Sequence, residues 1–276
     1  MNQFPTRHGP DDGGANVLAH PALPPLALSR PTMAGSKKIL VIGTGRSGTH
    51  WLGQILQAHP DIHVTVEAPP IFAWSTAMAL DPRQSPVLLP QLIRQYEIEH
   101  AAVAPRHYAD KSHPNIWHAE DLAARLPDAV FLGIQRNPFA TVASMLEHAG
   151  VLAWHERWRE FPVPNRFLGI TLENAAAYPM LPQAVRCALR WQSHAARMDA
   201  LRAVLGPRLL VVRYEDLILS TANEISRLAD FLQLTTPIPL PPVKSESLDR
   251  WRHAMPADAI RQVASITGIA PDSDLP

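Results

Sequence analysis

KKILVIGTGRSGTHWLGQIL, residues 37–56, joins a short apolar run to a helix-like pattern through a glycine-rich loop. Residues 39–42 are apolar and end at a glycine, which is typical of a buried parallel strand. Over residues 49–58, apolar side chains recur at helical spacing. A loop between such a strand and such a helix presents backbone N–H groups at a helix N-terminus, where anions bind. The stretch therefore predicts a phosphate-binding loop in a parallel α/β sheet.

The rest of the chain repeats this alternation of strand and helix patterns. Strands are predicted at residues 39–42, 62–66, 107–111, 129–134 and 209–212. Helices are predicted at residues 49–58, 87–104, 117–126, 138–148 and 183–205, and near Ile225, Leu228, Ala229 and Leu232. The alternation predicts a doubly wound parallel sheet in a single α/β domain, residues 36–276. Residues 152–182 lack clear periodicity and are predicted to form an insertion or lid.

The composition excludes several classes of protein. Lys plus Arg and Asp plus Glu number 25 each, so no overall field favours nucleic acid or an anionic membrane as a partner. Cys187 is the only cysteine, which excludes an intramolecular disulfide and fits a reducing cytoplasm. Residues 1–35 are punctuated by proline and glycine and are predicted to be a flexible tail. Apolar runs are too short for a signal peptide or a membrane span, so we expect a soluble, cytoplasmic protein.

The glycine-rich loop differs from the two common nucleotide-binding loops, the Walker loop and the dinucleotide-binding loop. A Walker loop places lysine after its second glycine, followed by Ser or Thr for magnesium. Here Thr49 follows Gly48, and the cation, Arg46, lies two residues before that glycine. The glycine spacing also fits a dinucleotide loop, but Arg46, Ser47 and Thr49 crowd it with side-chain donors. The loop therefore predicts an anion site that lacks both a magnesium ligand and the usual lysine.

With these residues the loop resembles the 5′-phosphosulfate loop of sulfotransferases, which use 3′-phosphoadenylyl sulfate (PAPS). In that family a basic residue precedes Ser-Gly-Thr, as Arg46 does here. FLGIQRNPFATVASM, residues 131–145, resembles the second half of the family signature. There an arginine and a serine, matched by Arg136 and Ser144, hold the 3′-phosphate. The motif layout is closest to the tyrosylprotein and heparan sulfate branches, and the resemblance implies the sulfotransferase type of P-loop-like α/β fold.

Smaller pieces extend the resemblance from residue 37 to residue 256. HPDIHVTVE, residues 59–67, places Glu67 where those branches have a catalytic glutamate. DKSHP, residues 110–114, resembles the turn whose lysine, here Lys111, those branches direct at the reacting sulfate. VVRYEDL and SLDRWRHAM, residues 211–217 and 247–255, resemble a late strand and turn and the loop that closes over the nucleotide. Pro69 departs from the tyrosylprotein branch, which has an arginine there. The implied nucleotide contacts are Gly45, Arg46, Ser47, Gly48, Thr49, His50, Arg136, Ser144, Tyr214, Ser247, Trp251 and Arg252.

These residue types suit the transfer of a sulfuryl group to a hydroxyl or amine. The reaction needs in-line positioning and stabilisation of charge as a phosphate leaves, and Arg46 is a permanent cation that bridges phosphate and leaving oxygen. Sulfate has no second ionisation to neutralise, so no metal is required. Glu67 follows a strand, where α/β sites gather, and is the predicted general base, with Arg46 and Lys111 as the other catalytic residues. His50 and His113 are the alternative bases.

Two other functions stay open from the residues alone, a P-loop kinase and a nucleotide-binding module without chemistry. The acceptor also stays open, because sulfotransferases vary the region that receives it, here residues 69–106 and 152–182. Small molecules, carbohydrates, lipids and peptides are all candidate acceptors. No histidine has a defensible metal-ligand spacing with a second ligand, so no metal site is predicted. The sequence does not indicate an oligomeric state.

Overall fold

The computed structural model describes residues 35–271, and the predicted tail lies almost wholly outside this range. Its centre is a five-stranded sheet in the order β2-β3-β1-β4-β5, and every neighbouring pair is parallel. The strands are β1 Lys38–Gly43, β2 Ile62–Val66, β3 His107–Lys111, β4 Ala129–Gln135 and β5 Leu209–Arg213. All five strands were predicted, and the doubly wound parallel α/β fold is confirmed.

Helices cover both faces of this sheet. They are α1 Thr49–Gln57, α2 Ile71–Leu80, α3 Ser85–Val103, α4 Ala119–Arg125, α5 Pro138–Leu146, α6 Ala149–Glu156, α7 Gln183–Leu205, α8 Tyr214–Leu219, α9 Thr221–Leu232, α10 Arg250–Ala254 and α11 Ala257–Thr267. The long α7 has the predicted bounds. None of the helices within residues 35–271 combines the length and apolar character needed to cross a bilayer.

The core is divided by the sheet because successive side chains of a strand point to opposite faces. Leu40 and Ile42 of β1 belong to one apolar cluster, which α2, α3, α4 and α7 complete. Ile39 and Val41 belong to the other, which α1, α8 and α9 complete. All four side chains are fully buried, as expected for the central strand of a sheet covered on both faces.

Residues 152–182, predicted to form an insertion or lid, pack partly into the domain. Their first part belongs to α6, and Phe167 and Tyr178 are buried in an apolar cluster with the end of α2. The Asn165 side-chain amide donates to the carbonyl oxygen of Leu80 at 2.8 Å, which fixes the following turn against α2. The insertion or lid stays a prediction. The absence of a period has a physical reason, since the aromatic side chains pack here around turns rather than along one helix face.

Five helices were not predicted, α2, α6, α8, α10 and α11. In α2 the sequence IFAWSTAMAL is apolar on all sides, so no periodic signal separates one face from another. The helix α10 spans five residues, too few to show a period. The helix α11, near the C-terminal end of the described residues, packs against α7 and α5 and shares an apolar cluster with them.

Candidate active site

The loop between β1 and α1 is held in a tight conformation by its own residues. Arg46 and Gly48 have φ of 79° and 100°, in the left-handed region that most residues with a side chain avoid. A Cβ on Gly48 would lie 2.4 Å from the Tyr214 ring, so only glycine fits there. The buried Ser47 hydroxyl donates to the Thr44 carbonyl at 2.6 Å and thus fixes the loop rather than pointing at a ligand.

Two arginines from different strand ends meet beside this loop, in a cavity of about 250 Å³ that we call the arginine cavity. Arg46 Nε donates to Ser144 Oγ at 3.1 Å, so the loop touches α5 directly. Arg136 lies over the Tyr214 ring at 4.1 Å and donates to the carbonyl oxygen of Ser247 at 2.9 Å. The cavity lining is Arg46, Gly48, Thr49, His50, Trp51, Arg136, Ser144 and Tyr214.

The charges of the arginine cavity are not neutralised by the protein. Within residues 35–271, neither Arg46 nor Arg136 has a carboxylate oxygen within ion-pair distance. The Nε of Arg136 is buried without a hydrogen-bond partner, and burial lowers the pKa of this guanidinium. Buried cations are costly unless an anion pairs with them, so the cavity is suited to an anionic ligand.

An aromatic cavity of about 530 Å³, the Trp51 pocket, adjoins the arginine cavity and shares Trp51 and Tyr214 with it. The two rings meet edge to face, with centroids 5.4 Å apart. The remaining walls are Gln54, Ile55, Ala58, Ile218, Pro239, Leu240, Pro241, Pro242 and Lys244. Sequence reasoning did not assign Trp51 to the site. The signal that could have found it is an aromatic residue in the first turn of the helix that follows an anion loop.

Through Arg46 and His50, the arginine cavity also adjoins a third cavity of about 200 Å³, the Glu67 chamber. Glu67, with φ of 47°, follows β2 directly. Its Oε1 accepts a hydrogen bond from Lys111 Nζ, and His113 Nδ1 lies 3.3 Å from the same oxygen. Its Oε2 lies 3.8 Å from Nε2 of His50. The chamber lining is Gly45, Arg46, His50, Glu67, Phe72, Lys111, His113, His148, Gly150, Val151 and Trp154.

The ionisation of the Glu67 chamber follows from these contacts. Burial alone would raise the pKa of Glu67, but hydrogen bonds from His113 and Lys111 outweigh it and lower that pKa to about 2. Burial lowers the pKa of His113 to about 4, so this imidazole is neutral near pH 7 and donates its Nδ1–H to the carboxylate. Burial also lowers the pKa of Lys111. Glu67 is therefore an anion held between a buried cation and a neutral imidazole.

The profile of the sulfotransferase family matches residues 38–237, well over half of the chain. The chain belongs to the sulfotransferase family. The matched residues include the loop, both arginines, Glu67 and Lys111, so the three cavities described above lie mainly within the family domain.

Solved structures with the same fold include sulfotransferase domains of two biosynthetic enzymes. The sulfotransferase domain of the curacin biosynthetic pathway is 14% identical and superposes with a TM-score of 0.52, covering 87% of this chain and 100% of the other. The sulfotransferase domain of the Synechococcus PCC 7002 olefin synthase is 17% identical with a TM-score of 0.51, covering 90% and 99%. At these identities the likeness concerns the fold. A comparison with curated protein sequences finds no match.

Most of the predicted site residues of this sulfotransferase meet at one edge of the sheet. The loop, Glu67, Lys111 and Arg136 each follow or end a parallel strand, and the carboxyl ends of parallel strands share an edge. Ser247 joins them through Tyr214, since the two hydroxyls lie 2.9 Å apart.

Trp251 and Arg252 line none of the three cavities of the sulfotransferase. The Trp251 ring is buried and stacks on Phe139 with centroids 4.8 Å apart, so the structure places it in the core rather than in a cavity. Arg252 donates to Asp249 at 3.1 Å. Among the described residues, no group of three or more His, Cys, Asp or Glu side chains is arranged to hold a metal ion.

Proposed function

We propose that this sulfotransferase transfers a sulfuryl group from PAPS to a hydroxyl or amine of an acceptor. The observation that carries the proposal is the row of three connected cavities, with two unpaired arginines in the middle one. PAPS has a purine, two phosphate-bearing positions and a reacting sulfuryl group. The row offers an aromatic pocket, a cationic cavity and a chamber with a carboxylate, in the same order.

The donor residues follow from this order. The Trp51 pocket supplies aromatic and proline surfaces suited to the face of a purine. Arg136, stacked on Tyr214 and partly unsatisfied, is assigned to the 3′-phosphate together with Ser144. Arg46 and the loop N–H groups are assigned to the 5′-phosphosulfate, because the loop ends at the N-terminus of α1. A guanidinium matches phosphate geometry with paired donors, which a lysine does not.

The acceptor side follows from the position of Glu67. When the acceptor oxygen attacks sulfur, an S–O bond to the acceptor forms and the S–O bond to the 5′-phosphate breaks. The acceptor proton passes to the Glu67 carboxylate, which is ionised in the free protein and lies at the end of the row. Arg46 stabilises the charge that develops on the leaving phosphate oxygen. Lys111 is assigned to the oxygens of the sulfuryl group.

The experiment that tests the proposal is incubation of the protein with PAPS, excess chelator and a mixture of candidate acceptors. We expect formation of the 3′,5′-bisphosphate nucleotide (PAP) and an acceptor that gains one SO₃ by mass spectrometry. Turnover of ATP that requires magnesium would instead indicate a kinase. Binding of PAP without any turnover of PAPS would indicate a nucleotide-binding module.

A further inference from the structure

The Glu67 chamber is small for a ligand site, and its size limits what can enter. Ligand pockets for drug-sized molecules usually enclose about 300–1,000 Å³. The chamber encloses about 200 Å³. A peptide segment or an oligosaccharide would therefore leave most of its surface outside. A single ring with a short substituent can be enclosed.

Phe72, Val151 and Trp154 form an aromatic and apolar wall of the chamber. Phe72 of α2 faces His113 with ring centroids 5.8 Å apart, and His113 in turn lies 6.4 Å from the Trp154 ring. Val151, from the first turns of α6, is buried and completes the apolar wall. Aromatic rings favour other rings in offset or edge-to-face contact by about 0.5–1.5 kcal/mol beyond area burial. This wall favours an aromatic acceptor ring over a polyol, whose hydroxyl groups would lack partners on this side of the chamber.

The charges around the chamber oppose an anionic acceptor. Lys111 is paired with Glu67, and Arg46, which lines both cavities, is assigned to the phosphosulfate of the donor. Burial lowers the pKa values of His50 and His148, as it does that of His113.

Arg190 is the further cation near the chamber, but it does not line the chamber. Its side chain is fully buried and lies over the rings of Trp154 and Phe167, at 5.0 and 4.5 Å. Trp154 lines the chamber and Arg190 does not. Once the donor engages Arg46, a carboxylate, sulfate or phosphate on the acceptor would thus lose its hydration beside Glu67 without contacting an unpaired cation.

From the size, walls and charges we infer that the acceptor is a small, uncharged phenol, whose ring lies between Phe72, Val151 and Trp154 and whose hydroxyl meets Glu67. The inference rests on the proposed sulfuryl transfer and names the acceptor class for that same site. The acidity of the acceptor hydroxyl also favours a phenol. A phenol hydroxyl has a pKa of about 10, whereas an aliphatic hydroxyl is about as weakly acidic as water, with a pKa of about 15.7. The Glu67 carboxylate, ionised because its own pKa is about 2, therefore removes the proton of a phenol more readily than that of an aliphatic alcohol.

The test measures kcat/KM for sulfation with PAPS across a matched set of acceptors. Phenol and 4-ethylphenol represent the inferred class, cyclohexanol is an aliphatic match in size, and methyl glucoside is a polyol. The neutral 4-hydroxybenzamide and the anionic 4-hydroxybenzoate differ mainly in charge. We expect the phenols to exceed cyclohexanol and methyl glucoside by about 100-fold or more, and the amide to exceed the carboxylate by about 10-fold or more.

Two variants of the wall make the test specific to this chamber. Phe72→Ala enlarges it, so the ratio of kcat/KM for 2-naphthol to that for phenol should rise about 10-fold. Val151→Phe fills it, so sulfation of 4-ethylphenol should fall more than that of phenol. Val87→Phe on the exposed face of α3 is the control and should change neither ratio. Unchanged PAP binding and thermal melting show that each variant is folded.

The outcomes separate this inference from the proposed function. If PAP binds but no phenol is sulfated, or if methyl glucoside or a peptide is sulfated better, the acceptor assignment is wrong and the nucleotide assignment stands. Unchanged acceptor ratios in both Phe72→Ala and Val151→Phe also overturn the assignment to this chamber. If PAP does not bind and PAPS is not consumed with any acceptor, the proposed function fails and the acceptor assignment fails with it.

Discussion

The arginine cavity and the Glu67 chamber share Arg46 and His50, yet they differ in how their cations are neutralised. Arg136 keeps a buried Nε without a partner, and neither arginine of the arginine cavity pairs with a carboxylate among the described residues. In the chamber, Lys111 is buried to a similar degree or more and pairs directly with Glu67.

Under the proposed function, the contrast assigns a part of the reaction to each region. A cation left without an anion in the free protein is ready to receive one, and the donor nucleotide carries several negative charges. A cation already paired does not favour a charged ligand, so the chamber can receive a neutral acceptor and still contain a base. The predictions that follow test this contrast by removing a charge from one region at a time.

The largest effect is expected when the carboxylate of the chamber is removed. Glu67→Gln keeps the shape and removes the basicity, so kcat should fall by roughly 10²- to 10⁴-fold, the usual contribution of a positioned general base. PAP affinity should barely change. Glu156→Gln, at the exposed end of α6, is the matched control for loss of a carboxylate. Near-normal turnover of Glu67→Gln would transfer the role of base to His50 or His113.

The next effect concerns Arg46, which links the two regions. Arg46→Ala should lower kcat by roughly 10²- to 10³-fold even at saturating PAPS, because its contact strengthens as charge develops on the leaving oxygen. Arg46→Lys keeps a positive charge on the same left-handed backbone, so its kcat should lie between those of Arg46→Ala and the wild type. A raised KM with unchanged kcat would show that Arg46 only binds the donor.

A smaller effect is expected in the pH dependence of stability. The pKa of Glu67 is lowered in the folded protein from an ordinary value of 4.5 to about 2. Its contribution to the free energy of unfolding is therefore fully present above about pH 4.5 and is lost as the pH falls toward 2. Urea unfolding midpoints between pH 5 and 3 should fall more steeply for the wild type than for Glu67→Gln. Parallel curves would show that Glu67 is not held by Lys111 and His113.

The sequence was sufficient for the parts of the site that local patterns encode. A buried strand that ends in a glycine-rich loop has a strong local signal, and so does an apolar strand such as β4 with Arg136 just beyond it. Because parallel strands share their carboxyl edge, Glu67, Lys111 and Arg136 could be placed together before their contacts were known. The long amphipathic α7 could also be predicted from the sequence, since its buried positions recur along one face.

The walls of the cavities could not be predicted, because they depend on packing between distant segments. The Trp51 pocket forms only because the proline-rich segment 239–244, which follows α9, lies beside α1. Val151 and Trp154 line the Glu67 chamber only because α6 packs beside the loop, in a region without sequence periodicity. The same absence of a local signal explains why Trp251, expected at the nucleotide, lies in the core.

The central claim is that unpaired cations bind the nucleotide and the paired cation does not. The most direct measurement is calorimetric titration of PAP and of adenosine 5′-phosphate into the wild type, Arg136→Ala and Lys111→Met. A charge-assisted hydrogen bond contributes about 1.5–3 kcal/mol, so Arg136→Ala should weaken PAP binding by about 10- to 150-fold. It should leave adenosine 5′-phosphate binding almost unchanged, and Lys111→Met should change neither affinity. Equal losses for the two nucleotides in Arg136→Ala, or a comparable loss of PAP affinity in Lys111→Met, would contradict the account.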